Sequence, residues 1–394
     1  MRTVTDRQKQ SAIERIDGAR DQLIGLSHRI HAHPELSFEE FNASMWCADA
    51  LEARGFLVER EICDLPTAFR ASIGTGPLVI GICCEYDALP DIGHACGHNI
   101  IAGAAVGTGI AIADLVDELD ITLVVLGTPA EEGGGGKILM LERGGFDGLN
   151  ASMMVHPWTS EMTGMPCLAV THFDVHYHGV EAHASAYPER GRNAADAITI
   201  AQVAIGLLRQ HANPGDQVHG IVTNGGSAPN IVPAHTTAKY YARASTLKKL
   251  DEWLPRVHRC FEAGAIATET SVEYVTHSPP YSEFLVDEPM AKIYRTNAEA
   301  LGRIFAPLAE RVVAASTDMG NVSLVIPAIH PTLDIGALPA VNHQAAFAKH
   351  CVSESADLAL LDGAKAMAMT VVDLAKGPSR AALLERSYQH HAPQ

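Results

Sequence analysis

The chain is short of the features that would send it out of the cell or into a membrane. Its first twenty residues, MRTVTDRQKQSAIERIDGAR, hold no apolar core of the kind an export signal needs. No uninterrupted apolar run reaches the roughly 18 residues of a membrane span. The longest, around residues 100–116, is Gly- and Ala-rich and includes Thr and Asp, so it reads as a buried helix. The eight cysteines follow no framework spacing, which argues for reduced thiols and a cytoplasmic setting. Basic residues are scarce: 29 Lys and Arg face 46 Asp and Glu, a net charge of −17. That balance argues against nucleic acid and anionic membranes as partners, though not against a small anionic substrate met by a few arginines in a cleft. Internal repeats and low-complexity segments are also missing.

What remains is globular composition, 47 % hydrophobic and 19 % charged over 394 residues, long enough for two domains. Residues 8–30 have helical spacing of Ile13, Ile16, Leu23, Leu26 and Ile30. A second helix is expected over 39–54. LVIGICC (78–84), ITLVVLG (121–127) and ASMMVHP (151–157) are continuous apolar runs of the kind buried on both faces of a sheet. Helical segments separate them, so the expected fold is α/β: a mixed, mostly parallel sheet flanked by helices. From 168 the texture changes to alternating strands and two helices, an α+β insertion. The expected domains are 1–167, 168–279 and 280–394, with the first and last forming one unit. LVIPAIHP (324–331) is expected to be a further sheet strand.

Ligands gather at the carboxyl ends of strands in such sheets, and three loops there are rich in metal-ligand residues. EYDALPDIGHACGHN (85–99) places Cys96 and His98 just before a helix. Thiolate and imidazole are good zinc ligands, and a helix N-terminus favours the thiolate; the bland alternative is a buried Cys with capping histidines. Asp87 is either a loop aspartate or the partner that orients a ligand histidine. TPAEEGGGGK (128–137) puts Glu131 and Glu132 after a wholly apolar strand. Adjacent side chains diverge, so one can ligate while the other faces a water; a solvated pair is the alternative. His156 closes the third strand, as ligand or as core histidine. Together these residues exceed the needs of one catalytic zinc and suit a pair of ions sharing a ligand.

These motifs, with HRIHAHPELSFEE (28–40), resemble the metallopeptidase family 20 amidohydrolases. The branch containing aminobenzoyl-glutamate hydrolase and the β-alanyl-lysine dipeptidase-like proteins is the most similar in wording. The resemblance implies a cytoplasmic hydrolase that cuts the amide bond of an N-acyl amino acid, an aminobenzoyl-glutamate-like conjugate or a dipeptide. It implies two divalent ions, zinc or manganese first, cobalt or nickel next. Cys96 would bridge them, with His98, Glu132, His156 and His343 as ligands; His330 is the rival to His343. Where many members carry His-x-Asp, this chain has Glu85-x-Asp87, so Glu85 is not expected to ligate. Glu131 would be the general base, supported by Asp87. The insertion would be a lid and dimerisation domain making a homodimer. His183 would stabilise the oxyanion of the neighbouring subunit's site, and Asn230 and Arg243 would hold the substrate's carboxylate. Two other readings stay open on the residues alone: hydrolytic removal of an amino group from an aromatic or other small amine, and a non-catalytic metal- or ligand-binding protein.

Overall fold

The computed structural model describes residues 3–305 and 315–391. In chain order its strands are β1 (Leu57–Arg60), β2 (Phe69–Ile73), β3 (Leu78–Cys84), β4 (Ile121–Gly127), β5 (Ala151–Met153), β6 (His156–Trp158), β7 (Ala169–His178), β8 (Gln217–Asn224), β9 (His235–Ala244), β10 (Ser271–Thr276), β11 (Ala328–Ile329) and β12 (Thr332–Asp334). The chain divides into two compact units. Unit 1 is Met1–Pro166, Phe284–Ala314 and Asp318–Gln394; unit 2 is Cys167–Glu283 with Ala315–Thr317.

Unit 1 carries a six-stranded sheet in the order β1-β2-β4-β3-β5-β11. The three pairings from β4 to β11 are parallel, and the β1–β2 and β2–β4 pairings are antiparallel. The sheet is therefore mixed and mostly parallel, as the apolar runs at 78–84 and 121–127 require; both become strands with the expected bounds. The helix His98–Ile112 lies wholly inside. Its small residues permit that: a Cβ on Gly103 would stand 2.5 Å from Leu360 Cδ1 of the helix Glu354–Leu374. Continued to Leu119, this segment is long and apolar enough to cross a membrane, yet 94 % of its most apolar window is buried in the protein.

Three expectations are corrected. The helix over 8–30 is two helices, Val4–Gly18 and Arg20–Ala32, broken at Ala19, whose N–H bonds back to Arg15 and Ile16. The run 151–157 is not one strand. Met154 and Val155 separate β5 from β6, which leaves the main sheet to pair with β12. LVIPAIHP is strand only at Ala328 and Ile329. Leu324 instead caps the helix Met319–Ser323, and Pro327 has no N–H to give a ladder.

Unit 2 is an antiparallel sheet, β10-β7-β9-β8. Alternation along β7 and β9 turns Phe173, Val175, Tyr177, Ala238, Tyr240 and Ala242 into a core shared with two helices, Ala194–Leu208 and Leu247–Thr268. The other face of the sheet is mostly polar, with Ile221 and Tyr241 exposed among its polar side chains.

Candidate metal centre

The site is built in unit 1 at the carboxyl ends of β3 and β4 and around β6. Cys96 and His98 flank Gly97, which enters the helix His98–Ile112 with φ 79°. That left-handed conformation favours glycine, and space demands it too: a Cβ there would stand 2.8 Å from Pro157 Cγ. Cys96 Sγ then lies 3.5 Å from Nε2 of His156 and 3.5 Å from Nε2 of His343. His156 Nδ1 is engaged with its neighbour's carbonyl, Pro157 O, at 2.8 Å, which leaves Nε2 facing the cysteine. His343 itself has φ 67° and its N–H bonds to Ala95 O, so the turn aims its ring inward.

Asp87 uses both carboxylate oxygens on this cluster. Oδ1 pairs with His98 Nδ1 at 2.9 Å, and Oδ2 accepts from the Glu132 N–H at 2.9 Å. It orients two of the expected ligands rather than facing the reacting atoms. His98 Nε2 is thereby turned toward Glu85, Glu131 and Glu132, at 3.6, 3.9 and 3.9 Å, and is buried. Those separations are long for hydrogen bonds and suit donors grouped about a cation.

Three groups of side chains bring their donor atoms within 4.8 Å of one another: Cys96, His98 and His156; Cys96, Glu132 and His343; His98, Glu131 and Glu132. Cys96, His98 and Glu132 each belong to two of them, so the three groups overlap in one cluster. His330 belongs to none. It is buried beside His156, ring centroids 5.3 Å apart, and burial drives its pKa well below the ordinary histidine value. The structure thus brings together Cys96, His98, Glu131, Glu132, His156 and His343, and sets His330 behind them.

Electrostatics explain why the cluster calls for cations. Burial, then the carboxylates of Glu85, Glu132 and Asp318, push the Glu131 carboxyl well up. Burial and Glu132 do the same to the Cys96 thiol. Burial, then the charge of His98, lowers His156 to about 4, the neutral form a metal needs. Burial opposes the charge of His98, but Asp87 more than offsets it. Divalent ions reverse the penalty on thiolate and carboxylates, so the residues present fit two of them.

Three supporting residues were not singled out in the sequence. Glu40, fully buried, accepts the Ala130 N–H at 2.9 Å and the Thr67 hydroxyl at 2.8 Å. It fixes Ala130 at φ 58°, a left-handed turn that presents Glu131 and Glu132. Lys137 lies in the first turn of the helix Gly136–Glu142, with no exposure. Its Nζ is 2.5 Å from Glu85 and 2.6 Å from Asp318. This pairing occupies one Glu85 oxygen and gives the residue an ion-pair role.

The remaining expected residues belong to unit 2. His183 is exposed; its Nδ1 accepts the N–H groups of Ser185 and Ala186 at 3.3 and 3.1 Å, which places the ring proton on Nε2 as an outward donor. Asn230 adjoins it: its carbonyl accepts from Ala184 N at 3.0 Å. Arg243 on β9 donates to Ser316 Oγ at 2.7 Å and to His219 Nε2 at 3.3 Å.

A mixed, mostly parallel sheet domain with a cluster of cysteine, histidine and glutamate donors, interrupted by a separate antiparallel domain, is the architecture of a metallo-hydrolase. The chain belongs to peptidase family M20/M25/M40, whose pattern matches residues 84–372. Its sequence is 39 % identical to Xaa-Arg dipeptidase of Mus musculus over 396 residues, covering 96 % of this chain and 90 % of the mouse protein. It is 34 % identical to one of the two subunits of p-aminobenzoyl-glutamate hydrolase of Escherichia coli K12, over 66 % of this chain and 58 % of that one. A dinuclear metal-binding M20 peptidase of Bacillus subtilis shares the fold, with a TM-score of 0.67 at 20 % identity, covering 91 % of this chain and 99 % of the other.

Proposed function

We propose that this M20 hydrolase is a dipeptidase acting on small dipeptides with a basic carboxyl-terminal residue, of the Xaa-Arg kind. The observation that carries the catalytic reading is the convergence of Cys96, His98, Glu132, His156 and His343 in overlapping groups of donor atoms, with Glu131 facing His98. Likeness to the mouse dipeptidase along nearly the whole of both chains supports the substrate class.

Cys96, His98, Glu132, His156 and His343 would hold the two divalent ions. Sulfur and imidazole donors support zinc, and the carboxylate supports manganese; cobalt or nickel would also suit the set. The ions supply the Lewis acidity that makes water a nucleophile near neutral pH. Glu131 takes the proton of the attacking water and delivers it to the leaving amine. His183, a donor at Nε2, stabilises the oxyanion, in a homodimer by reaching the neighbouring subunit. Arg243, with Asn230, grips the substrate's carboxylate. No disulfide joins any of the eight cysteines, which supports a reducing, cytoplasmic setting.

A screen of Xaa-Arg and Xaa-Lys dipeptides, N-acyl amino acids and aminobenzoyl-glutamate, read by amino-acid release, tests the substrate. Faster release from the basic dipeptides supports the proposal. Preference for aminobenzoyl-glutamate or N-acyl amino acids contradicts it.

A further inference from the structure

Glu85 and Asp87 address the two ring nitrogens of one expected ligand. Asp87 Oδ1 takes His98 Nδ1 at 2.9 Å, and Glu85 Oε2 faces His98 Nε2 at 3.6 Å. That nitrogen lies farther from Glu131 and Glu132, at 3.9 Å from each. Two atoms bound to one zinc-like ion stand roughly 3–4 Å apart, and Glu85 Oε2 already holds such a distance from His98. By position alone, Glu85 competes for any ion bound there. Its other oxygen is taken, however. Glu85 Oε1 is 2.5 Å from Lys137 Nζ. Asp318 in turn clamps Lys137 at two points: Nζ is 2.6 Å from Oδ1, and the Lys137 N–H donates to Oδ2 at 2.8 Å. Glu85, Lys137 and Asp318 have no exposure, so solvent does not screen the pair.

We infer that Lys137 is a positioning residue that fixes the ligand set of the proposed metal centre, on which this inference rests. By holding Glu85, it withholds that carboxylate from the ion at His98 and keeps a coordination position open there for water or substrate. An open position is what separates a catalytic metal site from a structural one. A buried carboxylate stripped of its cation is costly, and the ion at His98 is the cation that the free Glu85 oxygen already faces. Without Lys137, Glu85 becomes an extra ligand and the open position closes. Lys137 lies five residues after Glu132 in TPAEEGGGGK, so one loop supplies the base, a ligand and the residue that limits the ligand set.

The test is the visible spectrum of the cobalt-loaded full chain, which reports coordination number without turnover. Wild type, Lys137→Met, Glu85→Gln and the double variant are loaded with cobalt, and bound cobalt is measured per chain. Lys137→Met is expected to lose absorption per bound ion, as an added ligand takes cobalt from four- to five-coordinate. Glu85→Gln alone keeps the wild-type spectrum, and in the double variant it restores that spectrum. A role confined to folding changes stability and not this spectrum. Lys137→Gln, which retains donors for Asp318, gives the same loss in a less destabilised chain. Unchanged absorption in the Lys137 variants overturns the inference, as does a changed spectrum in Glu85→Gln or a loss that persists in the double variant. A wild type that takes up no cobalt overturns the metal centre itself, and this inference with it.

Discussion

Asp87 Oδ1 and His98 Nδ1 stand 2.9 Å apart, and neither side chain has any exposure to solvent. The pair fixes the tautomer and rotation of His98, and so points Nε2 into the cluster. Removing such a partner weakens metal binding roughly 10–100-fold. Asp87→Ala is therefore expected to lose ions to a chelator at concentrations that leave the wild type loaded. Competition with a chromogenic chelator measures it, and unchanged affinity contradicts the role given to Asp87.

Glu131→Gln removes the proposed proton carrier and leaves the proposed ligands Cys96, His98, Glu132, His156 and His343 in place. The variant is expected to keep wild-type metal content and to lose about 10²–10⁴-fold in turnover. Metal analysis beside a dipeptide assay separates this from simple metal loss.

His343 and His330 give opposite expectations. His343 shares donor positions with Cys96 and Glu132, so His343→Ala loses metal and activity. His330 lies behind the site beside His156, so His330→Asn keeps both ions and its defect shows in stability. Metal content per chain in the two variants checks the assignment.

Lys137 is the buried cation between Glu85 and Asp318. Removing one member of a buried ion cluster leaves charge uncompensated and costs about 3–5 kcal/mol. Lys137→Met is expected to unfold at correspondingly lower denaturant concentration. Exchanging Asp318 for Asn in the same chain should recover part of that loss.

Glu40 adds a pH signature. Burial, then the charge of Asp87, raises its carboxyl from the ordinary 4.5 to about 7. The folded state thus holds this proton more tightly than the unfolded chain. Its stabilising share is full below pH 4.5 and is lost as pH rises toward about 7. The stability difference between wild type and Glu40→Gln should therefore shift against the wild type across that window. Denaturant midpoints at several pH values measure it, and a flat difference contradicts the shift.

Much of this was legible before any coordinates. The strands at 78–84 and 121–127 could be read because a sheet covered on both faces demands unbroken apolar runs. The convergence of the candidate ligands could be read because thiolate, imidazole and carboxylate each followed such a run. The run 324–331 misled for the same reason: an apolar stretch also suits a buried helix end and loop, and Pro327 decided against the strand. Glu40, Lys137 and Asp318 escaped because their roles exist only through partners far along the chain. Glu40 bonds Ala130 90 residues away, and Lys137 bonds Asp318 across 181. Local spacing carries no trace of such pairs, although a lysine after four glycines and a glutamate in ELSFEE were there to be questioned.

In the proposed site Cys96 would hold two ions at once. Anomalous diffraction from crystals of the metal-loaded protein, at the absorption edge of the bound metal, tests it directly. Two peaks on either side of Cys96 Sγ are expected, one toward His156 and one toward His343. A single peak, or peaks away from this cysteine, would contradict it.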